Sequence, residues 1–189
     1  MGKYTGPKDR LSRRENFDLF GKGAKLTRLN VPPGVHGPKG LRGSSQYGKQ
    51  LREKQKVKRL YGIMEKQFRR YVDEALKSKG NTGEALLTAL ERRLDNVVFR
   101  LGFAPTRPFA RQIVSHRHVL VNGQKVNIPS YQVKVGDVIE VKKAQEQADY
   151  KLPAWLEKKA LVGRIAKAPV MEDVTEAISA QDIVEFYSR

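Results

Sequence analysis

The spacing of apolar residues changes period partway along the chain, and that change limits the folds open to it. From Tyr47 to Val114 apolar residues recur at helical intervals. From His118 to Lys142 they alternate in short runs bounded by turn residues, which is the pattern of strands. Helices together with a small sheet make an α+β protein. The first helical stretch opens at Ser45 and carries Tyr47, Leu51, Val57, Leu60 and Tyr61 among basic side chains. A second holds Met64, Phe68, Tyr71, Val72, Ala75 and Leu76, and Lys79-Gly80-Asn81 ends it with a glycine after a basic turn. A third opens at Thr82 or Gly83 and follows one stripe from Leu86 to Leu101, with a break near Arg92 and Arg93. Gly102 closes it. Thr106 then caps a short helix whose first turn tolerates Pro108 and whose Ala110, Ile113 and Val114 face inward.

The sheet turns on Asn122-Gly123, set between His118–Val121 and Gln124–Asn127. Both positions of a type I′ turn need positive φ, which makes Asn-Gly the strongest short-range hairpin signal. Tyr131–Val135, a Gly136-Asp137 turn and Val138–Lys142 supply further strand. Val138, Glu140 and Lys142 alternate with Ile139 and Val141, which suits a half-buried sheet.

Two segments lie outside this pattern. Residues 1–45 contain eight Gly and four Pro, seven of them between Val31 and Gly43. Such a chain buries too little surface to offset its ordering entropy. An extended basic arm is expected, with one short helix near Leu11–Phe20, ordered by its partner. After Lys143 the chain is polar and slightly acidic. There Pro153, Trp155 and Leu156 form an anchor, Leu161–Ile165 a short strand, and Ile178–Tyr187 a turn and a helix. This tail is too small to fold alone and is expected to return onto the first two basic helices. The expected parts are therefore an arm (1–45), a mostly helical domain (46–91) completed by 144–189 and so discontinuous in sequence, and an inserted module (92–143) of a helix pair and a small antiparallel sheet.

Charge narrows the partner. The 37 Lys and Arg outnumber 20 Asp and Glu, giving a net charge of +17. Residues 1–80 carry +14, residues 81–143 carry +5 and residues 144–189 carry −2. Clustered positive charge of this size points to a polyanion, since each neutralised phosphate releases counterions. The basic segments lack a long apolar face rich in Trp, Phe and Leu, so a membrane surface is not the expected partner. No run of residues is apolar enough to span a bilayer, and no apolar stretch follows the first basic residues as a secretory signal would require. With no cysteine, disulfides and thiolate metal sites are excluded.

The candidate contacts converge in the module. Arg107 and Arg111 share one helix face, His116, Arg117 and His118 follow in the turn, and the hairpin projects Asn122 and Lys125. With Arg92 and Arg93 they make a set of basic and amide donors suited to the backbone of folded RNA, whose deep groove hides its base edges. Arg52, Lys56, Arg59, Arg69 and Arg70 on the basic helices make a second surface, where Tyr47 could stack on a base.

The run RLDNVVFRLGFA, the segment ARQIVSHRHVLVNGQKVNIPSYQVKVGDVIEV and the terminal VEFYSR resemble the ribosomal protein S four family of the small subunit. MGKYTGPKDRLSRRE, PPGVHGPKG and YGKQLREKQKVKRLYGI are similar to its bacterial form, so the resemblance covers nearly the whole chain in order. It implies a structural constituent of the small (30S) subunit, a primary binder of 16S ribosomal RNA that nucleates assembly at a five-helix junction. It also implies contact with neighbouring protein S five, an influence on translational accuracy, a place near the mRNA entry channel, and a cytoplasmic location on the ribosome. A plastid ribosome fits the same residues. By the family's pattern the module's RNA contacts fall on Arg92, Arg93, Arg107, Arg111, Gln112, His116, His118 and Lys125. Many relatives carry four zinc-binding cysteines near the N-terminus. Here Asp9 and Ser12 stand where the first pair would be, so no zinc and no other cofactor is expected.

Features that look chemical have plainer readings. His116 and His118 flank a cation and have no further His or Cys nearby, which argues against a metal pair. Ser115, His116 and Asp95 lack an elbow motif, and GKGAKLT does not fit phosphate-loop spacing. Two rivals remain: an RNA-modifying enzyme that uses the module to hold its substrate, and a general RNA chaperone. The first needs an additional catalytic domain of over about 100 residues. Residues 1–91 and 144–189 offer no candidate acid in a strand–turn setting, so an enzyme is not expected.

Overall fold

The computed structural model describes residues 2, 4–39, 45–145, 152–174 and 176–188. Gly40 and Gly43 of the Pro- and Gly-rich segment lie outside them. The chain divides into two compact units, Met1–Gly83 with Ile178–Arg189, and Glu84–Ala177.

The first unit is helical. Its elements are α1 (Lys8–Glu15), α2 (Gln46–Leu60), α3 (Glu65–Lys77) and α7 (Ala180–Tyr187), while α4 (Thr82–Glu91) begins at its end. The Ser45 hydroxyl caps α2 by accepting the Gly48 N–H, and Gly62, at φ 63°, turns the chain towards α3. Val57, Leu60, Phe68, Tyr71 and Val72 are buried, as their helical spacing requires. α7 packs on α2. Gln50 donates to Glu185 across that contact, and the Lys54 ammonium lies 4.6 Å from the Phe186 ring centroid.

The arm is more folded than an extended segment. Its α1 lies against α2, where the Glu15 carboxylate, its side chain fully buried, accepts from Arg52 and Arg59. Leu19 and Leu26 are buried as well. Scattered apolar residues gave no periodic signal, yet a few suffice once an ion pair ties α1 down. The helix also starts and stops earlier than Leu11–Phe20, because Asn16 takes the left-handed conformation at its C-cap.

The second unit holds most of α4, then α5 (Leu94–Arg100), α6 (Arg107–Ser115) and, among the described residues, a five-stranded antiparallel sheet. Its strands are β1 (Val119–Val121), β2 (Gln124–Lys125), β3 (Val138–Val141), β4 (Leu156–Lys159) and β5 (Val162–Ile165), in the order β2-β1-β3-β5-β4. Asn122 and Gly123 have φ of 51° and 79°, as a type I′ hairpin needs. The register Leu120↔Lys125 and Val119↔Val141 turns Val119, Val121, Ile139 and Val141 to the core. There they meet Leu94 and Val98 of α5, Leu101 at its C-cap, and Ile113 and Val114 of α6.

Two segments differ from the sequence reading. Tyr131–Val135 forms only an isolated bridge, Gln132 to Arg93, because β5 already occupies the free edge of β3. The segment 144–189 does not return as one piece. Its β4 and β5 extend the sheet of the second unit, where Trp155 and Leu156 are buried in the core, and only Ile178–Arg189 joins the first unit. Gly163 explains the pairing. It faces Leu101, and an added Cβ would lie 2.4 Å from Leu101 Cδ1, so β5 can approach α5 closely only as glycine.

Candidate nucleic-acid interface

A lattice of ion pairs fixes α5 and α6 to one another. Arg93 donates to both oxygens of Asp95, at 3.1 and 2.7 Å, and Arg111 reaches Asp95 at 3.4 Å. Arg100 donates to Glu91 at 3.0 and 2.8 Å and to Glu176 at 2.7 Å. Arg107 donates to Asn96 at 2.9 Å and Glu176 at 2.6 Å, and its guanidinium sits 4.5 Å from the Phe99 ring centroid. Asn96 in turn donates to Glu91 at 2.8 Å. Buried charges are tolerated when paired and hydrogen-bonded on all sides. Burial raises the Glu176 carboxyl, but Arg107 and Arg100 outweigh it and hold the group down at about 2.

This lattice sorts the candidates of the module. Arg93 is buried, and Arg107 and Arg111 spend their guanidinium groups on Asp95, Asn96 and Glu176. Arg92 is half-buried and donates to the Val133 carbonyl at 2.8 Å. The other candidates face water. Gln112, His116 and Lys125 are exposed and His118 is half-exposed. The two imidazole rings stand 6.3 Å apart and edge to face. They share the end of α6 with Arg117, which is exposed and left-handed at φ 62°. Sequence spacing set Arg107 and Arg111 on one face of α6, but that face looks at α5, which no periodicity within α6 reveals.

The first unit divides its candidates in the same manner. Arg52 and Arg59 serve Glu15, and Lys56 pairs with Glu53 at 2.7 Å with its ammonium 5.5 Å from the Phe17 centroid. Arg69 and Arg70 are exposed on α3. Tyr47 is 51% exposed with one face against Phe186, their centroids 5.5 Å apart, so its other face is open. Tyr61, by contrast, is buried. Glu65 gathers Lys54, Lys58 and the Tyr187 hydroxyl at 2.7–2.8 Å. Burial opposes its charge, but these donors lower its pKa to about 2.

Further exposed cations went unselected in the sequence. Lys142 follows β3, and Lys159 and Arg164 lie on β4 and β5. The register sets Arg164 beside Glu157 and Val138, on the outer face of the sheet. Alternation through Leu161–Ile165 would have exposed Arg164, had the strand been assigned its partner. Among the described residues no group of three or more His, Cys, Asp or Glu could hold a metal, and no helix is long and apolar enough to cross a membrane. Asp9 forms an ion pair with Lys22, and Ser12 is buried.

A helix pair feeding a tight hairpin, with donors exposed along one end, defines a nucleic-acid-binding module. Comparison with known proteins gives the same class and carries it further. Residues 92–139 match the S4 domain family, and residues 3–91 match the Ribosomal protein S4/S9 N-terminal domain family. The chain is 50% identical to the small ribosomal subunit protein uS4 of Pelobacter propionicus, and 51% identical to those of Geobacter sulfurreducens and Caldicellulosiruptor bescii. In each case the whole of both chains is covered. The chain belongs to the small ribosomal subunit protein uS4 family, whose members are structural components of the ribosome and not enzymes.

Proposed function

We propose that this protein binds 16S ribosomal RNA as a primary, structural constituent of the small subunit and helps to nucleate assembly of the subunit body. The observation that carries this reading is the division of cations in the second unit. One set is locked into the α5–α6 lattice, while Gln112, His116, Arg117, His118 and Lys125 are left at the exposed end of α6 and the hairpin. A rigid frame that offers unspent donors fits an RNA backbone of fixed shape. On this reading Arg93, Arg107 and Arg111 hold the frame, and Arg92 holds the distant segment at Val133. Arg69, Arg70 and Tyr47 add contacts from the first unit. Contact with protein S five, proximity to entering mRNA, an effect on translational accuracy and a cytoplasmic location belong to the same proposal, with family membership as their support.

The test is binding to a 16S rRNA fragment containing the five-helix junction, against scrambled RNA and duplex DNA, over a salt series. A preference for the junction fragment that persists at physiological salt is expected. Equal affinity for all three, fading together as salt rises, would reduce the protein to a general polyanion binder.

A further inference from the structure

We propose that residues 32–37 form a preformed docking tip for structured RNA, with Val35 and His36 as its contact residues; this rests on reading the chain as a ribosomal RNA binder. The base of the loop is pinned. Arg13 of α1 donates Nε to the Val31 carbonyl at 2.8 Å and Nη2 to the Pro32 carbonyl at 3.1 Å. The Gly37 N–H donates to Gly34 at 3.0 Å, and the Val31 N–H to Arg28 at 3.0 Å. Pro32 and Gly37 are buried. A Cβ on Gly37 would fall 1.9 Å from the Pro32 carbonyl oxygen, so only glycine closes the loop.

The tip is the reverse of its base. Gly34, at φ 114°, swings the chain outward, and Val35 is 92% exposed. His36 is also exposed, and its ring has no hydrogen-bond or ring partner among the described residues. An aliphatic side chain held out in water contributes nothing to the fold. A loop already held in one shape loses little freedom when it binds.

Charge selects the partner. No acidic residue occurs between Asp18 and Glu53, whereas Lys22, Lys25, Arg28, Lys39, Arg42, Lys49 and Arg52 do. Arg28 and Lys39, which flank the loop, are exposed, and their side chains have no internal partner among the described residues. Lys22 and Arg52 are taken up by Asp9 and Glu15, but Arg28 and Lys39, in a stretch of sequence without acidic residues, flank one apolar tip, and this fits a ribose-phosphate backbone better than a mixed-charge protein surface. In A-form RNA the wide, shallow minor groove admits such a tip. There Val35 can press on a ribose or base face while the His36 ring donates to a phosphate or 2′-hydroxyl oxygen.

The experiment uses the full chain and 16S rRNA, with affinity and hydroxyl-radical footprinting measured for Val35→Asp, His36→Ala, Gly37→Ala and, as a control elsewhere, Lys125→Ala. Val35→Asp is expected to lower affinity at least about tenfold by setting a carboxylate against phosphates. It should also remove protection from one patch of nucleotides. His36→Ala and Gly37→Ala should deplete that same patch, and none of the three should touch the protections lost with Lys125→Ala. If Val35→Asp and His36→Ala bind within about twofold of the parent with every protection intact, the tip is not an RNA contact, although the parent's binding upholds the wider reading. Intact RNA binding combined with failure to enter reconstituted subunits would assign the tip to a protein partner and overturn the proposal. A parent chain that does not prefer 16S rRNA would remove both readings.

Discussion

Replacing Glu176 with Gln tests whether the charge lattice of the second unit is what holds α5 and α6 in register. The side chain is 14% exposed and accepts from Arg100 at 2.7 Å and Arg107 at 2.6 Å. Its pKa falls from an ordinary 4.5 to about 2, the two guanidinium groups outweighing the opposing effect of burial. At about 1.4 kcal/mol per unit, that depression corresponds to about 3 kcal/mol of stability at pH 7. Breaking a buried ion pair costs about 3–5 kcal/mol in general. The lower end applies here, since Arg100 keeps Glu91 at 2.8 Å and Arg107 keeps Asn96 at 2.9 Å. The sign follows from the depression. The contribution is present above pH 4.5 and is lost as pH falls towards 2, so only about 1 kcal/mol of it survives at pH 3. Trp155 is the only tryptophan and is buried in this unit, so urea unfolding followed by its fluorescence reads the relevant transition. The variant should lose about 3 kcal/mol at pH 7 and much less at pH 3. A loss below about 1 kcal/mol at pH 7, or an equal loss at both pH values, would refute the lattice as the source of rigidity.

Three other substitutions probe separate steps. Lys125→Ala should flatten the salt dependence of rRNA binding by about 0.7–0.9 slope units, as one lost phosphate contact requires; Arg107→Ala should weaken binding with the slope unchanged. A change of slope for Arg107→Ala would return that residue to the contact surface. Gly163→Ala drives a methyl into Leu101, at 2.4 Å from Cδ1. It should cost the second unit about 1–3 kcal/mol by overpacking, again read by Trp155. Tyr187→Phe removes the 2.7 Å hydrogen bond to Glu65 and should speed hydrogen exchange in α7 by a factor corresponding to about 1 kcal/mol. In the parent, burial and the Glu65 carboxylate raise the Tyr187 hydroxyl above the ordinary tyrosine range. The variant should therefore lose the component of an absorbance titration that ionises at the highest pH.

Most helices could be read from spacing because each buries one stripe of its own residues, and Asn122-Gly123 announced its hairpin through positive φ values that few residue pairs tolerate. What escaped was decided by partners distant in sequence. Nothing in LEKK says that Leu156–Lys159 joins a sheet. β4 forms because β5 does, and β5 is admitted because residue 163 lacks a side chain where Leu101 presses. The arm was illegible for a similar reason. Glu15 means little until Arg52 and Arg59, 37 and 44 residues on, close around it.

Partners distant in sequence also distinguish the arginines that build the frame from the cations that face a ligand. Arg107 and His116 sit on or beside one helix and carry the same promise by composition. Only the carboxylates of Glu176 and Asp95 decide that the first arginine, with Arg111, turns inward. The 37 Lys and Arg therefore overstate the number of cations offered to RNA, because every arginine paired with a buried carboxylate is neutral to the outside. That pairing has a benefit for recognition. The pairs that bridge the two helices, Arg111 with Asp95 and Arg107 with Arg100 through Glu176, fix the angle between α5 and α6, so the donors at the exposed end meet their phosphates without a further loss of conformational freedom. Acidic residues in a basic protein thus need not weaken its hold on RNA. Placed as Glu91, Asp95 and Glu176 are, they set where the remaining positive charge can point.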